Sequence, residues 1–524
     1  MTHSTPASHL LRRRSPASGR RCALLSLAAS LLPAALLAPA LLAPALLAQA
    51  PGAASANPPT GATTPAQAQV IEGGIQQLSA PSGVNPAVPT QDSFHGSVLE
   101  GRSTGQLLDL PLDDAIRRGL RTNLGILLQS TNQGNARGQQ LEQLQALLPT
   151  VTGDASIEVE QVNLAAFGIK FPGVKPIVGP FQVVDFRAYL TQNLVNVPAL
   201  ENYLAARHNF RAAQLSAEDA RDMVVLTVGN AYLLCIADQA RIDAVTAELA
   251  TSKVSLDQAT ASHEAGISPR LDVLRAQVDL QNEQQNLIST QNQLAKDKLV
   301  LARVIGLPLD QPFRLTDTAP YAPLDSLDPA QAFEQALKNR KDLAAQNEQL
   351  EAASNQKTAA WASQLPQAKV AGDFGDLGTT PGHSHSTYTA TGRVEAPILQ
   401  IASTRGQQAV ANSAYAQAKD KLADRIQQVN ADIRNSILDI QSAQKLVEAS
   451  RSNVELATEA LAEAQERFRT GISDNLPVSQ AQTQLEQAND QYISALYQHN
   501  TAKLSLARAL GVAQSSYKTY LGGK

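Results

Sequence analysis

The chain has 524 residues, only 4% of them aromatic, and alanine, glutamine and leucine dominate its longest proline-free runs. That composition suits long helices packed side by side, with little bulky core. The formal charge of −4, from 43 basic against 47 acidic residues, becomes −9 (38 against 47) once the first fifty residues, with five arginines and no acid, are set aside; a basic nucleic-acid footprint is absent.

Residues 1–50 read as a cleaved secretory signal: Arg12, Arg13, Arg14, Arg20 and Arg21 precede an apolar stretch from Ala23 to Leu47 that ends in Ala48-Gln49-Ala50. Pro33, Pro39 and Pro44 argue against a membrane-spanning anchor, and Cys22 lies before the apolar stretch, wrongly placed for lipid attachment. With Cys22 removed, Cys235 has no partner for an internal disulfide; in a helical run without a basic cluster it is expected to be an inert packed thiol. Residues 51–105, rich in Pro, Gly, Ala, Thr and Gln without apolar periodicity, are expected to form a flexible lead-in.

The segment Leu112–Leu148 follows Pro111 and is closed by Pro149, which predicts one helical stretch of about 36 residues. Strands follow over Thr150–Asn163 and Phe181–Leu194, joined by the Gly/Pro-rich link Phe167–Pro180. No proline then occurs from Ala199 to Ser268, so a helix of about 66 residues, roughly 100 Å long, is expected. It ends at Gly266-Ile267-Ser268. A returning helix carries the heptad seam Val273, Leu280, Leu287, Leu294 and Leu301.

The same path is then repeated. Gly471-Ile472-Ser473 lies 205 positions after the first turn, and at that offset Leu256 meets Leu461, Ala276-Gln277 meets Ala481-Gln482, Leu301-Ala302-Arg303 meets Leu506-Ala507-Arg508, and Gly306 meets Gly511. Upstream, Leu148-Pro149 corresponds to Leu365-Pro366, with strands expected over Ala368–Leu377 and Ser386–Leu399. The second seam reads Val478, Leu485, Tyr492, His499 and Leu506. This gives a first repeat over 106–306, a linker over 307–328, a second repeat over 329–512 and a tail over 513–524.

In each repeat two half-length helices, end to end, equal the full-length one, so the chain climbs to a β-hairpin, descends in one run, turns, and climbs half way back. Phe167, Phe171, Phe181, Phe186 and Phe374, with the sole tryptophan Trp361 just below, suit an aromatic girdle at a membrane interface. Two hairpins give four strands, too few to close a membrane barrel, and open edges cannot face lipid. The protein is therefore expected to assemble with copies of itself.

At this point the chain resembles the TolC-type outer-membrane efflux family, over roughly residues 107–512. The resemblance rests on the twofold repeat, on Leu148-Pro149 and Leu365-Pro366 before the strands, on Asn230-Ala231-Tyr232-Leu233, and on Gly266-Ile267-Ser268 followed by Leu271-Asp272-Val273-Leu274. It implies a homotrimer with a transmembrane β-barrel and a long periplasmic α-barrel, mainly α with a small β part. The implied role is an exit duct in the outer membrane, working with a periplasmic adaptor and an inner-membrane transporter in efflux or type I secretion.

The resemblance also assigns Gly266, Ile267, Ser268, Gly471, Ile472 and Ser473 to tips that line the entrance and dock the adaptor. Family members often narrow the entrance with carboxylates in an Asp-Val-Leu-Asp pattern after the second turn. Here that position reads Pro477-Val478-Ser479-Gln480, and the first repeat has Arg275 after Asp272-Val273-Leu274, leaving Asp272 and Asp474 as candidate gate residues. His383-Ser384-His385 offers two imidazoles, too few to hold a metal well, and His499 is expected to be packed or lumen-facing. No Walker loop, dinucleotide motif, HExxH or nucleophile elbow occurs, so no catalytic residue, cofactor or metal is predicted. The competing reading is a secreted periplasmic coiled-coil scaffold that never enters a membrane; it leaves the paired hairpins unexplained.

Overall fold

A computed structural model describes residues 91–169, 172–318, 321–324 and 327–521. The expected signal and most of the lead-in lie outside them. In chain order the elements are β1 (Leu108–Leu110), α1 (Leu112–Thr122), α2 (Leu124–Gln145), β2 (Thr150–Asn163), β3 (Ile177–Val195), α3 (Val197–Glu264), α4 (Arg270–Ile305), β4 (Phe313–Leu315), α5 (Pro329–Asn339), α6 (Lys341–Ala362), β5 (Gln367–Gly378), β6 (Ser384–Glu395), α7 (Ile401–Arg469), α8 (Leu476–Ala509) and α9 (Ala513–Tyr520). Apart from α9, each element of one repeat has its counterpart in the other, except that β1 and β4 pair with each other.

The two long helices have 68 and 69 residues, so each is about 100 Å long. α3 starts on Asn196, whose side chain accepts from the Ala199 amide at 2.9 Å, with Pro198 in its first turn. Along its first half α3 packs on α2 and α6, where His208 meets Glu348 at 2.6 Å. Along its second half it packs on α4 and α8, where Asn489 donates to Glu248 at 2.9 Å. The half-length helices do stack to the height of the long one.

The heptad seams are occupied as expected. In α4 burial rises along the seam to Leu294 and Leu301, and in α8 Val478, His499 and Leu506 are buried. The alternate seam positions differ between the two helices. In α8 they are all alanine: Ala481, Ala488, Ala495, Ala502 and Ala509, all buried. In α4 they read Ala276, Glu283, Thr290, Asp297 and Val304.

Three expectations need correction. The segment Leu112–Leu148 is two helices, broken at Asn123, and its counterpart is broken at Arg340; both residues are extended, with ψ 130° and 118°. Asn123 caps α2 by accepting from the Gly125 amide at 2.9 Å and donates to the Phe94 carbonyl at 2.7 Å. Arg340 binds Asp342 and Asp432. Asn123 thus holds its break by side-chain bonds to backbone, whereas Arg340 makes no such bond and is held by its carboxylate partners.

The last part of the lead-in is also ordered. Residues 91–95 form a 3₁₀ turn that seats Phe94 against Gly125, the Val98 amide donates to Thr122 and the Glu100 amide to Gly306. β1 pairs in parallel with β4 of the linker. Proline and glycine content hid these contacts, whose partners lie well along the chain: Phe94 and Val98 meet the α1–α2 break, and Glu100 and β1 reach Gly306 and β4, about 200 residues away. Lastly, the C-terminal tail contains α9, which packs on α3 and α8.

Glycine closes the joint in each repeat. Gly306 ends α4 with φ 69°, and a Cβ there would lie 2.6 Å from Thr122 Oγ1; Gly511 follows α8 with φ 71°, and a Cβ there would lie 2.9 Å from the Arg340 nitrogen. Each returning helix thus abuts the break in a half-length helix. Tyr232 adds to the first joint: its hydroxyl is 2.8 Å from the Leu110 carbonyl oxygen and from Asp317 Oδ2, which also accepts from the Leu112 amide at 2.7 Å. Substituting Gly306→Ala combines left-handed backbone strain with a steric clash and should destabilise by about 2–4 kcal/mol. Gly266→Ala, with open space around it, should lose only about 1–2 kcal/mol, and denaturant unfolding of the two variants measures the difference.

Candidate functional sites in the sheet and at the helix tips

The four strands form one antiparallel sheet in the order β2-β3-β5-β6. Because directly opposed residues share a face, the register sorts every side chain. Val151 opposes Leu190, Ala155 opposes Phe186, Ala188 opposes Phe374, and Phe374 opposes Tyr388. These make one apolar face, on which Val151, Phe374, Tyr388 and Val394 are well exposed. The alternate positions make a mixed face that carries the charges of the sheet's centre, Asp185, Arg187 and Asp373, beside Tyr189 and Leu377.

On that mixed face Arg187 is the centre of an ionic knot. Its guanidinium bonds Asp185 at 3.2 Å, Asp373, and the Thr387 hydroxyl at 3.1 Å, so one side chain ties β3 to β5 and β6. Lys369 and Arg393 both reach Glu395, at 3.1 and 3.4 Å. An exposed apolar face backed by paired charges matches a strand ribbon with lipid on one side and water on the other. The strands have 12 to 19 residues, more than the roughly 9–11 that cross a bilayer core. The outer edges of β2 and β6 have no strand neighbour among the described residues.

At the opposite end the two Gly-Ile-Ser turns have the same geometry. Gly266 and Gly471 both have φ 74°. In the first, the Gly266 amide donates to the His263 carbonyl and the Ile267 amide to Ser262; in the second, Gly471 donates to Phe468 and Ile472 to Arg467. Both are Schellman caps, which need the positive φ that glycine adopts without strain. They leave Ile267 and Ile472 as exposed apolar points, 71% and 77% accessible. The turns lie side by side, since a Cβ on Gly471 would be 3.9 Å from Ile267 Cγ2. Behind each isoleucine, the Ser268 and Ser473 hydroxyls are enclosed.

The two candidate gate carboxylates converge on one cation. Arg275 Nη1 is 3.6 Å from Asp272 and 3.9 Å from Asp474. Their surroundings differ: Asp272 is 1% accessible, whereas Asp474 is mostly exposed and accepts from the Leu476 amide at 3.3 Å. The arginine that departs from the Asp-Val-Leu-Asp pattern is therefore the residue that joins the two turns.

Other ionisable groups fall in places that the motif search did not reach. At mid-height Arg508 pairs with Asp219 at 2.8 Å. Burial raises Asp219, while for Asp342 the opposing effect of burial is outweighed by the Arg340 hydrogen bond and charge, which lower it. Lys503 is buried and donates to the Ala322 carbonyl at 2.9 Å; burial pulls it down to about 8. His499 is packed, as expected, against the Tyr321 ring at 5.3 Å; burial and then Lys503 bring it down to about 4. Burial likewise pushes Cys235 up to about 12, keeping the thiol protonated.

His383 bonds only locally, to Thr380 at 3.0 Å. Among the described residues, the group that brings three metal-type side chains together is Glu248, Glu283 and Glu486, with one oxygen of each within 4.8 Å of the others. Glu283 and Asp297 were legible in principle, because both occupy alternate seam positions of α4 where apolar residues are expected.

A long helical shaft carrying an open-edged sheet with a lipid-suited face defines a self-assembling membrane protein of the tube-forming kind. The chain belongs to the outer membrane efflux protein family, whose pattern it matches over residues 131–307 and 332–512. It is 24% identical over 310 residues to the pyoverdine export outer membrane protein OpmQ of Pseudomonas putida, covering 59% of this chain and 66% of that one. It is 27% identical over 322 residues to the toluene efflux pump outer membrane protein TtgF of Pseudomonas putida, covering 60% and 64%. The chain thus spans just under two thirds of the length of these curated relatives.

Among solved structures, the outer membrane protein VceC of Vibrio cholerae matches with TM-score 0.68 at 19% identity, covering 76% of this chain and 96% of that one. A membrane protein from Pseudomonas aeruginosa matches with TM-score 0.70 at 19% identity, covering 82% and 99%. The fold is shared with both. On the sheet, Phe374→Arg places a charge on the lipid-suited face and should destabilise the inserted state by up to about 2–4 kcal/mol, whereas Thr389→Arg on the opposite face should be tolerated. The fraction recovered as a detergent-requiring, heat-modifiable assembly reports the contrast.

Proposed function

We propose that three copies close edge to edge, β2 of one against β6 of the next, to form an outer-membrane exit duct. The observation that carries this reading is the two-faced sheet: its apolar side needs lipid, its open edges need neighbours, and its charged side then lines a wet interior. Below the barrel the long helices continue the tube through the periplasm of a Gram-negative-type envelope. Catalysis has no part in this role.

The tips would face a periplasmic adaptor, with an inner-membrane transporter feeding the duct. Ile267 and Ile472 give each protomer two apolar contact points of one geometry, and Gly266, Ser268, Gly471 and Ser473 hold them there. Relatives named for pyoverdine export and for toluene efflux support small molecules as the transported class. A water-soluble scaffold is disfavoured, because it would leave the face around Phe374 and Tyr388 in water.

At the entrance, Asp272 and Asp474 act through Arg275 as a latch between neighbouring turns. Reconstituted in planar bilayers, the wild-type protein should conduct. Arg275→Ala should raise single-channel conductance by freeing Asp474 and leaving Asp272 enclosed without its counter-charge. Reversing Asp474 to Lys should have the same direction of effect and should alter block by divalent cations. Unchanged conductance and block in both variants would remove these residues from the gate while leaving the duct itself intact.

A further inference from the structure

Between mid-height and the tips, the α3–α4 pair meets the α7–α8 pair across a seam of polar contacts. Asn489 of α8 donates to Glu248 of α3 at 2.9 Å, Asn286 of α4 donates to Glu486 of α8 at 2.8 Å, and Ser479 of α8 donates to Asp279 of α4 at 2.8 Å. Gln482 of α8 donates to Ser255 of α3 at 3.2 Å. The seam's centre encloses a cavity of about 260 Å³, lined in part by Arg241, Glu248, Glu486 and Asp490.

Two features of this centre do not balance if every carboxylate is charged. Glu248, Glu283 and Glu486 each bring an oxygen within 4.8 Å of the others, one from each of three helices. Glu248 and Glu283 also each hold a second-oxygen position, Oε2, that is buried without a hydrogen-bond partner. The charges acting on Glu283 are Glu486 from α8, Glu248 from α3 and Asp279 from its own helix, all negative. On Glu248 they are Glu486 and Asp490. The guanidinium of Arg241, which lines the same cavity, is already engaged by Asp238 at 2.9 Å and lies 3.6 Å from Asp490.

We propose that Glu248, Glu283 and Glu486 share a proton that clasps the α3–α4 pair to α8, and that losing it lets the two pairs part. A single proton removes one of three like charges, replacing a carboxylate–carboxylate repulsion by a neutral donor facing a carboxylate. Three ionised groups at this spacing repel, and the repulsion acts directly between α3, α4 and α8. The same pattern recurs higher on α3 and α4, where Asp238 is 2% accessible, has Oδ2 without a partner, and faces Asp297. This second station, about fifteen ångströms along α3, lies within the α3–α4 pair and does not cross the seam.

The direction follows from linkage. Burial first, then Glu486 and Glu248, push Glu283 up to about 7 from an ordinary 4.5. The clasped state therefore holds a proton that separated helices release, so clasping is strongest below about pH 4.5, weakens as pH rises from there to about 7, and has lost the proton's contribution above it.

The test uses the full-length assembly. Its thermal stability should fall by several degrees between about pH 4.5 and about pH 7.5 and be level above that, and its conductance should rise over the same range. Glu283→Gln keeps the shape and mimics the protonated form, so its melting temperature and conductance should be flat with pH, each at the wild type's acid value; Glu486→Gln should show the same flattening. A wild type that is flat with pH, or glutamine variants that keep the full response, would overturn the clasp. A response that disappears in EDTA and returns with added Mg²⁺ or Zn²⁺ would also overturn it, by making the bridging species a metal ion. The melting arm is independent of conduction: a pH-dependent melt without current would sink the duct and leave the clasp standing.

Discussion

Everything in this molecule depends on how two runs of about 100 Å are kept in step with helices of half their length. The interlock lies at mid-height, where a glycine after each returning helix presses into a break in each ascending one. Gly306 has no room for a side chain beside Thr122, and Gly511 has none beside Arg340. Because the contact is made by backbone with almost no slack, it fixes where the short helices meet and therefore where the sheet and the tips stand. The apolar cluster around Tyr232, Leu301 and Ile305 then fills the space around the first joint, and the cluster around Ile433, Leu506 and Leu510 fills the second.

Much of this architecture could be read from the chain before its coordinates. Proline-free runs gave the two long helices nearly to their ends, and the repeat offset located both turns and both hairpins. Two strands departed from expectation: β3 begins at Ile177 and continues through Pro180, a residue that reads as loop, and β6 ends at Glu395, four residues before the expected Leu399, because Pro397 has no amide to donate to a ladder. The breaks at Asn123 and Arg340 were missed because neither is proline or glycine. Each is stabilised by partners distant in sequence, Phe94 and Asp432, which local pattern does not reveal. The same holds for β1 and β4, three residues each and meaningful only as a pair.

The candidate sites were legible to different depths. The turns at Gly266 and Gly471 followed from glycine chemistry, and the structure gives them one geometry. Asp272 and Asp474 were picked as carboxylates near the tips, but their convergence on Arg275 needed coordinates, as did the burial of the first and the exposure of the second. Glu283 and Asp297 stand on a heptad as charged residues, but the leucine positions beside them carry the stronger pattern. Their partners come from other helices, at spacings that no motif encodes.

The alanine ladder of α8 bears on how the α7–α8 pair can move. Each small knob allows close approach but hides far less apolar surface than leucine would, on the order of 2 kcal/mol less per position. Adhesion is thus spread thinly over the helix instead of concentrated in a few deep locks. A helix bound in this way can slide or twist by small increments, exchanging one shallow fit for the next. Such a surface favours graded bending of the lower shaft over an abrupt snap between two shapes.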